Sequence, residues 1–198
     1  MPLTPALLMR HAVESLRTPR EQTRWVMSLE LSRRDRWFLL ALISVVSTIF
    51  SVLLQVFLTQ QAAFPLGLML VSPMVGAIAT TSNSVITVFI VYWAGRAFGG
   101  TGGFGNTISI ITWLQFILTC ILGVQILLAL VFPALLGPLN IMALVALGWL
   151  FCSFVAELHG FRSALNVFFG TMAISTGFIF GLYMLAGLLG LAVTGGSI

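Results

Sequence analysis

Ionised side chains occupy only three short stretches of this chain, and the sequence between them is apolar enough to lie in a lipid bilayer. All arginines and acids fall in residues 1–36, at Arg96, or at Glu157 and Arg162. Charged residues make up 7% of the chain and hydrophobic residues 59%, whereas a soluble domain has about 25% charged residues. This composition argues against a soluble enzyme, a disordered chain and a nucleic-acid-binding domain. We therefore expect an integral membrane protein.

Five apolar segments reach the length of about 20 residues that a helix needs to cross a bilayer. We predict crossings at 37–58, 73–95, 107–132, 139–156 and 165–190. Prolines set several of these limits, because proline suits the first turn of a helix and interrupts its interior. The predicted fold is all-α: a transmembrane bundle of five helices at 37–190, preceded by an amphipathic arm at 1–36 and followed by a short outer tail at 191–198.

The charge distribution predicts the orientation of this bundle. If the N-terminus is cytoplasmic, the inside segments are 1–36, 96–106 and 157–164, and they hold every charged residue. The positive-inside rule then places the C-terminus on the opposite, periplasmic side. Basic and aromatic residues at the inner ends of the first two spans are the expected membrane anchors: Arg33, Arg34, Arg36, Trp37, Trp93 and Arg96.

The arm at 1–36 reads as two short helices, because Thr4-Pro5 and Thr18-Pro19 each pair a capping residue with a proline. In the first helix one face is expected to be apolar and the opposite face charged. The apolar face would hold Leu7, Leu8, Ala12 and Leu16, and the charged face Arg10, Glu14 and Arg17. Basic amphipathic helices lie in the membrane interface and attract anionic headgroups. The alternative is an arm that packs on the base of the bundle.

The inner loop before the last span carries Glu157, His159 and Arg162. A carboxylate, an imidazole and a guanidinium could perform acid–base chemistry or sense pH. An ion-paired loop with Glu157 near Arg162 is the alternative that a position at the interface favours. A zinc site needs three or four ligands, and the supply of such residues on one side is too small. We therefore predict no catalytic, cofactor or metal site.

The segment from Gly100 to Gly105 matches the pattern G-x-G-x-x-G. A dinucleotide-binding fingerprint follows a strand and opens a helix, whereas this segment joins two predicted membrane helices. We interpret it as a tight turn in which glycines supply positive φ.

Neutral polar and small residues inside the predicted spans allow two further interpretations. Asn83, Thr119 and Thr176 fall near one depth, around the midplane, where they could make interhelical hydrogen bonds or line a solute path. Ala173, Gly177 and Gly181 recur every four residues, a spacing that lets another helix approach closely. That helix would belong to the same bundle or to a second copy of the chain.

Four sequence features together are similar to one family. They are Leu16-Arg17-Thr18-Pro19-Arg20-Glu21 followed by Trp25, Arg96-Ala97-Phe98-Gly99-Gly100-Thr101-Gly102, the prolines Pro133 and Pro138, and Glu157-Leu158-His159-Gly160-Phe161. In this order the chain resembles the YIP family of polytopic membrane proteins, the Ypt/Rab-interacting proteins and their bacterial relatives. The resemblance implies a five-helix bundle with a cytoplasmic N-terminus and, in eukaryotic members, binding of small GTPases.

This chain lacks the long N-terminal region and the Asp-Leu-Tyr-Gly-Pro motif of the eukaryotic proteins, which argues against GTPase binding and favours a bacterial-type member in the inner membrane. Our expectation is a non-enzymatic protein that binds or organises membrane partners. The lipid bilayer, anionic headgroups of the inner leaflet and a membrane protein are the expected partners, and nucleic acid is not. The alternative is a small-solute permease or channel that uses the polar layer of the bundle.

Overall fold

The computed structural model describes residues 4–61 and 73–188, and these form helices with no strand among them. The helices are α1 (Pro5–Arg17), α2 (Pro19–Ser28), α3 (Arg33–Gln61), α4 (Pro73–Ala97), α5 (Phe104–Val131), α6 (Leu136–His159) and α7 (Ala164–Leu188), with a 3-10 turn at Pro133–Leu135 before α6. The all-α class predicted from the sequence is confirmed for this part of the chain.

Capping residues and prolines explain where several helices begin. The Leu7 amide donates to the Thr4 hydroxyl at 3.4 Å at the start of α1. At the start of α3 the Asp35 amide donates to the Ser32 hydroxyl at 3.1 Å, and that hydroxyl donates to the Asp35 carboxylate at 2.7 Å. The first of these bonds is that of a capping box, and in the second the carboxylate accepts from the Ser32 hydroxyl where a complete box would use the Ser32 backbone N–H.

Four helical segments are long and apolar enough to cross a membrane: Arg33–Val56, Pro73–Ala97, Phe104–Val131 and Pro133–His159. The apolar part described within α7 is shorter, at Ala164–Ile174. With 28 residues, α5 is about 42 Å long at 1.5 Å per residue, which exceeds the roughly 30 Å hydrocarbon core. One or both of its ends therefore reach the headgroup region.

Hydroxyl and amide pairs hold neighbouring helices together. Along α3 and α4, Ser44 contacts Ser84 at 3.3 Å and Thr48 contacts Thr80 at 3.0 Å. A step of four residues forward in α3 matches a step of four residues back in α4, so the two helices are antiparallel.

The central helix is α5, which packs on α3, α4 and α6, while α7 packs on α6 at the edge. The Gln115 amide of α5 donates to Ser47 of α3 at 3.0 Å, and the Gln125 amide donates to Asn140 of α6 at 2.9 Å. These interhelical hydrogen bonds are one of the two roles expected for neutral polar residues in the spans.

The buried core is concentrated towards one end of the bundle. Its fully buried members include Leu40, Val88, Ile108, Leu150 and Phe154. A second, smaller cluster at the other end holds only Leu54, Ala129 and Leu136 as buried residues. Helix faces there are apolar but exposed, which is what lipid contact requires. The tightly packed end is also the end that carries the charges.

Candidate functional site at the charged end of the bundle

The arm helix α2 docks on the inner ends of the bundle helices. Arg24 Nε contacts Glu157 Oε1 at 2.6 Å, and Arg20 Nη2 donates to the Arg162 carbonyl at 2.9 Å. We call the region that comprises α2, the start of α3, the end of α4, the start of α5 and the end of α6 the charged end; within it α2 packs on α5 and α6. Of the two interpretations of the arm, packing on the base of the bundle is the one that the structure shows.

The ion pair of Glu157 differs from the one expected. Glu157 pairs with Arg24 and not with Arg162, because α2 lies against α6 and brings Arg24 within hydrogen-bonding distance. The chain turns sharply after His159, at Gly160 with φ of +73°, and carries the Arg162 side chain out to an exposed position. The hydrogen bond with Glu157 raises the pKa of Arg24 above its ordinary value.

An aromatic cluster joins the arm to α5. The Trp25 ring stacks on His11 at 3.8 Å between ring centroids and meets Trp113 edge-on at 5.4 Å. The Trp113 indole N–H donates to the buried Ser15 hydroxyl at 3.1 Å. Sequence analysis missed Trp113 and Ser15. A buried indole needs an acceptor, but the sequence does not show which of the many hydroxyls provides it.

Helix α1 runs alongside α5. Ser15 contacts Trp113, and Cys120 Sγ lies 3.7 Å from Met9 Sδ. The contacts are six positions apart in α1 and seven positions apart in α5, which is about 10 Å of helix in each. They run in opposite directions along the two helices, so α1 and α5 are antiparallel.

The prediction of which residues form the apolar face of α1 is only partly correct. Ala12 is buried, but Leu16 is 47% exposed and joins Met9 and Val13 in an outward apolar row. On the same helix Arg10 pairs with Glu14 at 2.8 Å. The hydrogen bond from Arg10 is the main cause that lowers the pKa of Glu14. The outward row therefore leaves α1 amphipathic after it has docked.

His159 is enclosed by glycines. The residue is 2% exposed, and its Nε2 lies 3.1 Å from the Val91 carbonyl. A Cβ added at Gly100 would lie 2.6 Å from Nδ1, and one at Gly102 would lie 2.8 Å from it. A Cβ at Gly95 would overlap the ring. The expected cluster of Glu157, His159 and Arg162 is therefore not brought together, since each residue faces a different neighbour.

The glycines of the 100–105 turn do not have the positive φ that was predicted from the sequence. Among the described residues, positive φ occurs only at Gly99 (+85°) and Gly160 (+73°), and the glycines of the 100–105 segment do not need it. Gly100 N donates to Gly95 O at 2.8 Å and Gly99 N to Arg96 O at 3.0 Å, the two bonds of a Schellman motif. Gly100 and Gly102 are required because the His159 ring approaches their backbone closely.

A second Schellman motif ends α6 at the same level. Phe161 N donates to Ala156 O at 2.7 Å and Gly160 N to Glu157 O at 3.3 Å. Thr101 N then donates to His159 O at 3.2 Å and links the two helix ends. The turns after α4 and α6 thus form one hydrogen-bonded unit, which holds the charged end together.

The predicted membrane anchors all lie at the charged end. Arg33 and Arg34 are exposed in the first turn of α3, and Trp93 is 66% exposed in the last turns of α4. The exposed Arg96 lies 5.8 Å from the centre of the Tyr92 ring. Two anchors are partly buried: Trp37, which packs against Phe104, and Arg36, whose guanidinium lies against Gly105.

The three residues predicted to share a midplane layer do not meet. Asn83 and Thr176 are exposed, whereas Thr119 is buried and its hydroxyl donates to the Gln115 carbonyl at 2.8 Å. Cavities found in the described part of the chain are lined by other residues. The hydrogen-bonded polar pairs lie instead between α3, α4, α5 and α6.

The small-residue row of α7 has no neighbour within the described structure. Ala173, Gly177 and Gly181 are exposed, and a Cβ at Gly177 or Gly181 would meet no described atom within 4 Å. The expected packing inside the bundle is therefore not found among residues 4–61 and 73–188. The reason is that α7 lies at the edge and packs on α6 through other positions.

Over the described residues, no group of three or more His, Cys, Asp or Glu lies close enough to hold a metal ion. The family model for the Yip1 domain matches residues 13–192 of the chain. Neither the curated proteins nor the solved structures gave a match.

Proposed function

The chain belongs to the Yip1 domain family, and from this premise we propose that this multi-pass membrane protein binds or organises membrane partners through its charged end and catalyses no reaction. Four apolar helices long enough to span a bilayer support the membrane assignment. The match extends from residue 13 in the arm to residue 192. One family model thus covers both the arm and the bundle. We therefore assign the function to the surface that the arm and the bundle form together.

We place five crossings in the membrane, with the N-terminus in the cytoplasm and the C-terminus on the periplasmic side of a bacterial inner membrane. Helix α7, with 25 residues, supplies the fifth crossing. The clustering of charges on one end supports this orientation, since arginine concentrates on the cytoplasmic side. Exposed arginines such as Arg33, Arg34 and Arg96 then face anionic headgroups, each worth about 1 kcal/mol of attraction.

The docked arm is the observation that carries the proposal. The Arg24–Glu157 pair and the Trp25–Trp113 contact fix α2 on α5 and α6, so that arm and loops present a single surface. A flexible tail would lose conformational entropy on binding a partner, whereas a docked arm has already lost it on folding. The partner that we propose is a membrane protein that binds this surface. The Asp-Leu-Tyr-Gly-Pro motif of the eukaryotic proteins does not occur in the sequence, which argues against a small GTPase as the partner.

Charge reversal tests the proposal directly. Arg24→Glu places two acids face to face and should release the arm, whereas Arg24→Glu combined with Glu157→Arg restores an ion pair of opposite polarity. We would recover the tagged wild-type and variant proteins from native membranes in mild detergent and identify the proteins that come with them. A partner set that is lost with the single variant and regained with the double variant supports the proposal.

Arg34→Glu is the matched control. It makes the same change of charge at an exposed residue of the charged end that does not contact α2. The arm stays docked in this variant, so the partners that depend on the docked arm should be retained. If wild type, Arg24→Glu and Arg34→Glu all recover the same proteins, the docked arm does not recruit partners and the proposal fails.

A further inference from the structure

An open groove lies where the arm meets the inner ends of α6 and α7. Its volume is about 520 Å³, within the roughly 300–1,000 Å³ range of small-molecule sites. The arm contributes Arg20 and Glu21 to the lining, the turn between the helices contributes Arg162, and the helices contribute Trp149 and Leu165. We call it the arginine groove.

Two arginines line this groove, and the backbone of one holds the side chain of the other. Arg20 is fixed there because its Nη2 donates to the Arg162 carbonyl at 2.9 Å. A guanidinium has five N–H donors, so the remaining donors of Arg20 and all those of Arg162 are available to an anion. Nearby arm arginines differ, since Arg10 and Arg24 each have a carboxylate partner. Among the described ion pairs none includes Arg20 or Arg162.

Two large apolar side chains also line the groove. Trp149 and Leu165 are 55% and 63% exposed. Leu165 lies in the first turn of α7, near the level of Arg162, whereas Trp149 precedes Glu157 by eight residues, or about 12 Å along α6. The groove therefore passes from guanidinium groups and an aliphatic side chain at the charged end to an indole at greater depth in the bundle.

We infer that the arginine groove binds one anionic phospholipid, with its phosphate between Arg20 and Arg162 and an acyl chain along Trp149 and Leu165. A phosphate accepts charge-assisted hydrogen bonds from two guanidiniums. In the groove the charged groups lie at the headgroup level and the indole lies deeper, which is the order of headgroup and acyl chain in a lipid of the leaflet beside α6. Glu21 lies in the same lining and leaves the rim with a net charge of +1, which balances the single negative charge of a phosphatidylglycerol headgroup.

This inference rests on the orientation given in the proposed function, because the groove must open at the headgroup level. It adds a ligand class and a site that bridges the arm and the bundle. A lipid bound there would strengthen the docking of α2, since it would contact Arg20 on the arm and Arg162 on the bundle together. Lipid binding and partner recruitment can be measured separately.

Native mass spectrometry of the delipidated protein provides the first test. We would add phosphatidylglycerol, phosphatidylcholine or inorganic phosphate to the wild type, to Arg20→Gln, to Arg162→Gln and to the double variant. One tightly bound phosphatidylglycerol is expected on the wild type, with affinity reduced about tenfold in each single variant, as loss of one charge-assisted bond implies. Arg34→Gln, which removes a headgroup-facing charge outside the groove, should weaken the general attraction to anionic lipid but leave the one tightly bound phosphatidylglycerol in place.

Quenching of tryptophan fluorescence tests the position of the acyl chain. Phosphatidylglycerol with brominated acyl chains should quench a component of the emission that Trp149→Phe removes. Equal binding of phosphatidylcholine, unchanged binding by the double arginine variant, or occupation by inorganic phosphate as strong as by the lipid would each overturn the inference.

The double arginine variant leaves Arg24, Glu157 and Trp25 in place, so the arm should stay docked. Its partner set in the co-purification experiment should therefore match the wild type. Failure of lipid binding alone overturns the arginine groove, and failure of co-purification alone overturns the proposed function.

Discussion

Gly100→Ala should destabilise the charged end, although it adds only one methyl group. The new Cβ would lie 2.6 Å from His159 Cβ and Nδ1 and 2.7 Å from the Gly95 carbonyl oxygen, whereas carbon atoms pack at about 3.5–4.0 Å. His159 is buried among α4 and the turn, and Gly95 O belongs to the backbone, so neither atom can move away easily. Overpacking of this kind costs about 1–3 kcal/mol.

A second contribution comes from the Schellman motif. If the turn moves to relieve the overlap, the 2.8 Å bond from Gly100 N to Gly95 O is strained or lost, which costs about 1 kcal/mol. The expected total is roughly 2–4 kcal/mol. Gly100 lies outside a helix, so no gain in helix propensity offsets this cost.

Gly103→Ser is the matched control, three residues further along. Gly103 is the N-cap of α5 with φ of −82° and ψ of 144°, and a Cβ there would meet no atom within 4 Å. Serine is a preferred N-cap residue, so this variant should be as stable as the wild type or slightly more stable. Free energies of unfolding measured in detergent with a chemical denaturant would compare the two.

Combining Gly100→Ala with His159→Ala isolates the contact with the imidazole. Removing the ring relieves the overlap with Nδ1 but keeps the Cβ of residue 159 and the Gly95 carbonyl oxygen, so part of the Gly100→Ala cost should disappear. An equal cost in both backgrounds, or a Gly100→Ala variant as stable as Gly103→Ser, would refute the close approach of His159 to the turn.

Three further variants test the arm and the interhelical bonds. Trp113→Phe removes the hydrogen bond to the buried Ser15 and should lower the free energy of unfolding by about 1–3 kcal/mol, which the same denaturant titration would show. Gln125→Leu removes the bond to Asn140, and about 0.6 kcal/mol should be lost; a loss several times larger would contradict this. The pKa of Glu14 is lowered from 4.5, so its contribution to the order of the arm is present above pH 4.5 and lost as the pH falls through the folded-state value. Proteolysis of the arm should accelerate over that interval in the wild type and not in Glu14→Gln.

Local sequence rules predicted the helix starts well. Helices α1, α2 and α4 begin at Pro5, Pro19 and Pro73, as expected from the restricted φ of proline. Helix α3 begins at Arg33, four residues before the predicted span at 37, because the capping box allows the helix to start before the apolar run. The length and hydropathy of a segment predict which residues lie in the membrane, whereas the capping residues determine where the helix begins.

Contacts between distant residues could not be predicted from one sequence. Several arginines were predicted on the same side of the membrane as Glu157. The one nearest in sequence, Arg162, was the expected ion-pair partner, and this expectation was wrong. The observed partner, Arg24, is 133 positions away and is brought close only because α2 packs on α6. The role of Gly100 and Gly102 is hidden for the same reason, since the His159 ring that requires them belongs to another helix.

Crosslinking within the membrane tests the docked arm most directly. In a background with Cys120→Ala and Cys152→Ala, we would introduce Glu21→Cys on α2 and Trp149→Cys on α6, which line the same groove and leave the Arg24–Glu157 pair in place, and treat native membranes with a bismaleimide. An intrachain link between positions 21 and 149, found by mass spectrometry of the digested protein, is the expected result. If a monofunctional maleimide labels both cysteines and no intrachain link forms, the arm does not rest on α6 and the account of the charged end is wrong.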